Sequence, residues 1–257
     1  MRKVIDRSVA SAFACVVVLS ACGGGGGDSP PAANGPSAEG VYGGTLSGSS
    51  SNAFQLLVLE NGDFWAMYGT QTSTVFAVAG FIQGSGTSNI GSFTSSNTKD
   101  FGFSPAVAGN TSATYNVTAK TISGTVMATA GTVTFNGGPI AGSLYNYNTP
   151  ASIATVAGAW TTTILTGETA NLNIATNGSF TAVSSLGCNF SGTVTPRASG
   201  KNVFNVSLTF GATPCALPSQ VVTGIAVAYP LASGSTQLVV AVTNSARTAG
   251  TAAFGTR

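Results

Sequence analysis

The chain has 257 residues, of which 34 are glycine, none is histidine and only 6% are charged, against about 25% in ordinary globular domains. From Cys22 onward six basic residues face six acidic ones, which excludes the basic surface that nucleic-acid binding needs to displace counterions from phosphate. So few titratable side chains also argue against a hydrolase or transferase, whose chemistry moves protons.

Arg2, Lys3 and Arg7 give a basic start, and the apolar run Val9–Leu19 falls short of the ~20 residues of a membrane-crossing helix. The run closes on Leu19-Ser20-Ala21-Cys22, which resembles the lipobox of bacterial lipoproteins. That resemblance implies a signal peptide over 1–21, cleavage before Cys22, and acylation of the Cys22 thiol and of the new amino group. Gly23 rather than Asp at the next position implies an outer-membrane address by the enteric sorting rule. Residues 22–39, with Gly23–Gly27 and Pro30-Pro31, read as a lipidated cysteine and a flexible tether reaching roughly 20–25 Å. The membrane is therefore one expected partner, through the anchor.

From Gly40 onward short alternating runs are punctuated by Gly, Asn, Ser and Pro, the pattern of hairpins in an all-β chain. Phe54–Glu60 meets Asp63–Tyr68 across Asn61-Gly62, and Ala170–Thr176 meets Ser179–Val183 across Asn177-Gly178. Asn-Gly predicts a two-residue type I′ turn in both. The hairpins align, Leu56 with Leu172, Phe64 with Phe180 and Ala66 with Ala182, and Gly40-Val41-Tyr42 matches Gly158-Ala159-Trp160 upstream. Downstream, Ile82-Gln83-Gly84 resembles Phe190-Ser191-Gly192. The alignment predicts two tandem, duplicated antiparallel meander units, over 40–148 and 149–257. In the first, Tyr115–Lys120 and Ile122–Ala128 read as strands. In the second, Thr149-Pro150 predicts a short helix to about Ala157, then eight strands: 160–165, 170–176, 179–184, 188–197, 202–211, 221–230, 236–244 and 250–257.

A short helix followed by Gly-x-Trp opening an eight-stranded meander resembles the calycin superfamily of lipocalins and avidin. The resemblance implies a closed barrel in the second unit, with Trp160 at its closed end under a basic side chain, Arg247 or Arg257. The chain also resembles outer-membrane lipoproteins that join a Gly-rich tether to a disulfide-bearing β-domain.

Cys188 and Cys215 remain once Cys15 and Cys22 are assigned to the signal and the lipid. In an oxidising compartment they predict a disulfide contributing roughly 3.5 kcal/mol through loop closure. A catalytic cysteine would lack a histidine base. Glu60 and Asp63 flank the Asn61-Gly62 turn and read as turn solubility, and Asp100 beside Lys99 as a solvated loop. No cluster suits a metal or cofactor, and no catalytic residue is expected.

In the second hairpin Asn171, Asn173 and Thr181 make the outer face polar. At the matching positions the first hairpin carries Leu57, Leu59, Trp65 and Met67, an apolar face that something must cover. The other β unit, a protein partner and a small apolar ligand all remain candidates. The chain is expected to be a non-catalytic envelope lipoprotein, binding a small apolar ligand or a protein as calycins and transferrin-binding-protein-like lipoproteins do. The alternative is a structural envelope protein with filled barrels.

Overall fold

The computed structural model describes residues 36–71, 76–129 and 131–257; Cys22, the expected signal segment and the tether through residue 35 lie outside them. The first unit contains β1 (Gly40–Ser47), β2 (Ala53–Val58), β3 (Asp63–Gln71), β4 (Phe76–Ser85), β5 (Thr87–Asn89), β6 (Ser92–Asp100), β7 (Val107–Asn116), β8 (Thr121–Ala128) and β9 (Gly131–Gly138). They pair antiparallel in the order β4-β3-β2-β1-β9-β8-β7-β6-β5. Pairing of Ile82 with Asp100 and Gln83 with Lys99 joins β4 to β6. Eight strands thus close into a ring, which leaves no long unpaired edge, and β5 hangs from β6.

The second unit begins with the helical turn α1 (Ile153–Val156). There follow β10 (Gly158–Ile164), β11 (Thr169–Ile174), β12 (Ser179–Ser184), β13 (Asn189–Pro196), β14 (Phe204–Phe210), β15 (Val221–Pro230), β16 (Thr236–Thr243) and β17 (Gly250–Thr256). These eight form a closed meander barrel. The chain is all-β, two tandem eight-stranded antiparallel barrels with one tiny helix between them.

Equivalent residues occupy equivalent places in the two ladders. Across the first barrel runs the row Tyr42–Leu56–Ala66–Ile82–Asp100, each residue paired with the next. Across the second runs Trp160–Leu172–Ala182–Phe190–Phe210. Phe64 faces Gly84 and Phe180 faces Gly192. A Cβ on either glycine would come within 2.6 and 2.8 Å of the opposing ring, so the absent side chain is what lets each ring lie across its neighbour.

Local chemistry departs from expectation at three places. Both Asn-Gly hairpins close through three-residue turns rather than type I′ turns: Gly62 N donates to Leu59 O, and Leu59 N to Asp63 O. The same bonds link Ala175, Gly178 and Ser179. Only the glycines take positive φ, 84° and 83°, the pattern of a type I turn followed by a left-handed bulge residue. Each asparagine instead accepts from the backbone two residues on, Asp63 N or Ser179 N. Tyr115–Lys120 is not one strand. β7 ends at Asn116, whose Oδ1 accepts from Thr118 N and Ala119 N and turns the chain. The helix starts at Ile153 rather than at Thr149-Pro150, because Thr149 Oγ1 donates to Asn146 O and accepts from Asn202 Nδ2 rather than from a helical amide.

Three apolar clusters hold the molecule. One fills the second barrel around Trp160, Phe180, Phe204 and Leu238, and another lines the first around Phe54, Leu56, Phe64 and Phe93. The third lies between the barrels.

Candidate ligand cavity and the seam between the barrels

Inward alternation in β2, β3, β6, β8 and β9 turns Phe54, Leu56, Phe64, Phe93, Ile122 and Phe135 into the first barrel. They do not meet in the middle. A cavity of about 380 Å³ remains, lined also by Ala66, Ile82, Val126 and Val133, with the 48–51 loop and the half-exposed Phe103 at its rim. Such a volume lies at the small end of the usual range for ligand sites.

Two polar side chains meet in its wall. Tyr68 Oη donates to Asp100 Oδ1 at 2.7 Å, and Gly102 N donates to the same oxygen at 2.8 Å. Asp100 is thus the end of β6, half-buried, and not a solvated loop residue. Burial raises its pKa against the lowering effect of those two bonds. Burial, with the Asp100 hydrogen bond and charge, also pushes the Tyr68 phenol up, so Tyr68 remains a donor.

The second barrel has spent the equivalent space on side chains. Where the first has Ile82 and Asp100, it has Phe190 and Phe210, whose rings pack 5.8 Å apart. Cys188 and Cys215 form a disulfide with Cα atoms 4.6 Å apart, both buried against this core. At the closed end Trp160 Nε1 donates to Val156 O at 2.7 Å. The Arg257 guanidinium lies 3.9 Å from the Trp160 ring centre and donates to Ala157 O and Thr155 O. Tyr42 does the same work in the first barrel, donating to Ala38 O at 2.9 Å, likewise four residues back.

Arg247 is not part of that closed end. It sits in the β16–β17 turn at φ 52°, and its Nη2 donates to Gln83 O and Asn97 O of the first barrel. The left-handed backbone, unusual for a residue with a Cβ, aims the side chain across the seam rather than over Trp160.

Leu57 of β2, Leu59 just beyond it, and Trp65 and Met67 of β3 lie on the outward face and are buried there by the second barrel, against Val203, Ile225, Val227, Tyr229 and Val239. Trp65 stacks on Phe81, and Phe81 on Phe101 at 4.7 Å. At the edge of the seam Arg197 Nε meets Glu60 Oε1 at 2.7 Å. Glu60 therefore points to the other barrel, beyond the turn-solubility role. Burial alone would raise its pKa, but bonds from Arg197, its own amide and Ser199, with the Arg197 charge, hold it below the usual value. A polar crevice of about 530 Å³ runs alongside, lined by Arg197, Asn205, Ser207, Thr223 and Arg247. Among the described residues no group of three or more His, Cys, Asp or Glu could hold a metal ion.

No family model and no curated protein matches this chain. Solved structures similar to it include transferrin binding protein B of Neisseria meningitidis serogroup B, at 8% identity and a TM-score of 0.27, over 80% of this chain and 65% of that one. A mutant of transferrin binding protein B from Haemophilus parasuis aligns at 7% identity and a TM-score of 0.28, over 82% and 66%. A DUF3598-family protein of unknown function from Nostoc punctiforme aligns at 13% identity and a TM-score of 0.25, over 85% and 94%. The chain spans less than two thirds of the length of both transferrin binding proteins.

The cavity and the covering face are the two features that the sequence expectations did not locate. The covering face carries a legible signal, since Ile225, Val227 and Tyr229 in β15 alternate with Ala226 and Ala228 and both sets are buried. That is the same two-faced apolar pattern as in β2 and β3. The cavity has only a faint one, the small inward side chains Ala66 and Thr111.

Proposed function

We propose that the protein is a non-catalytic binding module whose first barrel takes a small, largely apolar ligand. One observation carries the reading: a cavity of about 380 Å³ stands open in the first barrel, while the matching row of the second barrel is occupied by the Phe190 and Phe210 rings. Apolar ligands are held in such sites by burial, at about 25 cal/mol per Å² removed from water. Anchoring at the outer membrane through a lipid on Cys22 belongs to the same proposal. It is supported by the Leu19-Ser20-Ala21-Cys22 match and the Gly-rich tether. A protein partner would need a surface other than Leu57, Leu59, Trp65 and Met67, because the second barrel already covers that face.

The test is binding of the neutral fluorescent probe N-phenyl-1-naphthylamine. One probe should bind per chain with an enhanced, blue-shifted emission, and Ala66→Phe, which places a ring in the cavity, should abolish it. A probe unaffected by Ala66→Phe would be bound elsewhere and would remove the support for the reading. For the anchor, fatty-acid labelling should mark the parent and not Cys22→Ser, and label on the variant would sink the lipoprotein assignment.

A further inference from the structure

We propose that the first-barrel cavity selects a cationic amphiphile, an apolar chain lying in the barrel with an ammonium head at Asp100. The inference rests on the ligand-binding reading above and assigns its chemical class.

Asp100 and Tyr68 are the titratable groups in the cavity wall, and Asp100 brings a formal negative charge with no cation to meet it. Among the described residues the ion pairs are Arg197–Glu60 and Lys201–Glu39, and neither includes Asp100. Lys99, next in the chain, pairs across the ladder with Gln83 while Asp100 pairs with Ile82 of the lining. Alternation therefore sends the lysine to the other face. The corresponding place in the second barrel is held by Phe210, so the carboxyl stands at a core position of the fold, not at a casual surface site. A charge taken out of water is costly unless something pairs with it.

The carboxyl is also held still. Both hydrogen bonds, from Tyr68 Oη and Gly102 N, fall on Oδ1, which leaves Oδ2 to meet a donor from the cavity. Tyr68 is closely flanked as well. Its Oη lies 2.3 and 1.9 Å from where a Cβ would stand on Gly80 and Gly102, so the ring end is clamped between two glycines. A fixed acceptor at the end of an apolar chamber favours a ligand with N–H donors and a positive charge. It repels a carboxylate, and it gives an alcohol a weaker bond, with no opposite charge on the donor.

Isothermal titration of the full chain with decylammonium, decan-1-ol and decanoate, all below their aggregation limits, separates the possibilities. Decylammonium should bind roughly tenfold or more tightly than decan-1-ol, the worth of the opposite charge added to the bond, with decanoate weakest. Asp100→Asn should erase the preference while leaving decan-1-ol affinity in place. Should that variant fold poorly, acidification of the parent supplies the same readout. Tyr68 is the titratable group facing Asp100, and burial raises the Asp100 pKa. Protonation therefore removes the ammonium preference at a higher pH than for an exposed aspartate, about 3.9. Equal affinity for all three ligands, or a preference for decanoate, would overturn the amine assignment and leave the cavity as an unselective apolar site. Binding of none of them would overturn both readings.

Discussion

Ala66 and Ala182 occupy the same place in the two hairpins, yet one lines a cavity and the other is buried opposite Phe190. The difference lies with their neighbours: Ala66 is followed across the ladder by Ile82 and Asp100, Ala182 by Phe190 and Phe210. Two aromatic rings stand in one row of the second barrel where the same row of the first borders a cavity. A duplicated fold can therefore keep one copy as a scaffold and open the other without moving a strand.

The sharpest way to break this comparison is to attack what joins the barrels. Trp65→Ala empties a buried aromatic site in the seam and should cost about 3–5 kcal/mol, read by denaturant unfolding. An unchanged midpoint would show that the seam contributes little. Removing the disulfide with Cys188→Ser and Cys215→Ser should cost roughly 3.5 kcal/mol, felt by hydrogen exchange in the filled barrel first. Equal loss of protection in both barrels would erase that asymmetry.

Next comes the paired substitution that tests hollow against solid. Ala182→Leu should overpack the second barrel by about 1–3 kcal/mol, whereas Ala66→Leu should change stability by under about 1 kcal/mol and weaken probe binding. Thermal melts of the two variants side by side decide it, and equal penalties would mean that the first barrel has no room to spare. Smaller still is the closed end. Arg257→Ala should lose about 1 kcal/mol through the Trp160 contact, while Trp160 fluorescence should be indifferent to Arg247→Ala.

Acidification separates two carboxyls of opposite sign. Glu60 has a folded pKa below its unfolded one, so its contribution is present at neutral pH and lost as pH falls, under about 1 kcal/mol for so exposed a pair. Asp100 has its pKa raised, so proton uptake favours the folded state, and stability gains as pH falls through that window. Asp100→Asn should therefore steepen the net loss of stability on acidification, and a pH series of melts that leaves the slope unchanged would contradict it.

The second barrel was legible strand by strand because its burial alternates on one face, as in Ser179–Ser184. The first was blurred by two physical causes. β2 and β3 are apolar on both faces, and β6 carries a register shift between Ser95 and Thr98 that breaks the period of two. The Cys188–Cys215 pair could be expected from residue types and the Trp160 end from the Gly-x-Trp resemblance, yet Arg247 and Arg257 could not be told apart. What separates them is the left-handed turn that turns Arg247 away. The cavity was not legible, because a void belongs to no residue: it lies where Ile82 and Asp100 take the row that Phe190 and Phe210 hold in the second barrel.

β3 is a partition wall. Phe64, Ala66 and Tyr68 serve the first interior, while Trp65 and Met67 serve the seam. Substitution on one side leaves the other in place, but one inserted or deleted residue would exchange the two sets at once. Two cores would fail together, where the same event in β12, exposed at Thr181 and Val183, spoils only one. Length variation among descendants of this fold should therefore avoid β3 and gather in connections such as β1–β2. That connection already differs between the copies, since Gly40 and Gly158 lie 118 positions apart and Val58 and Ile174 only 116.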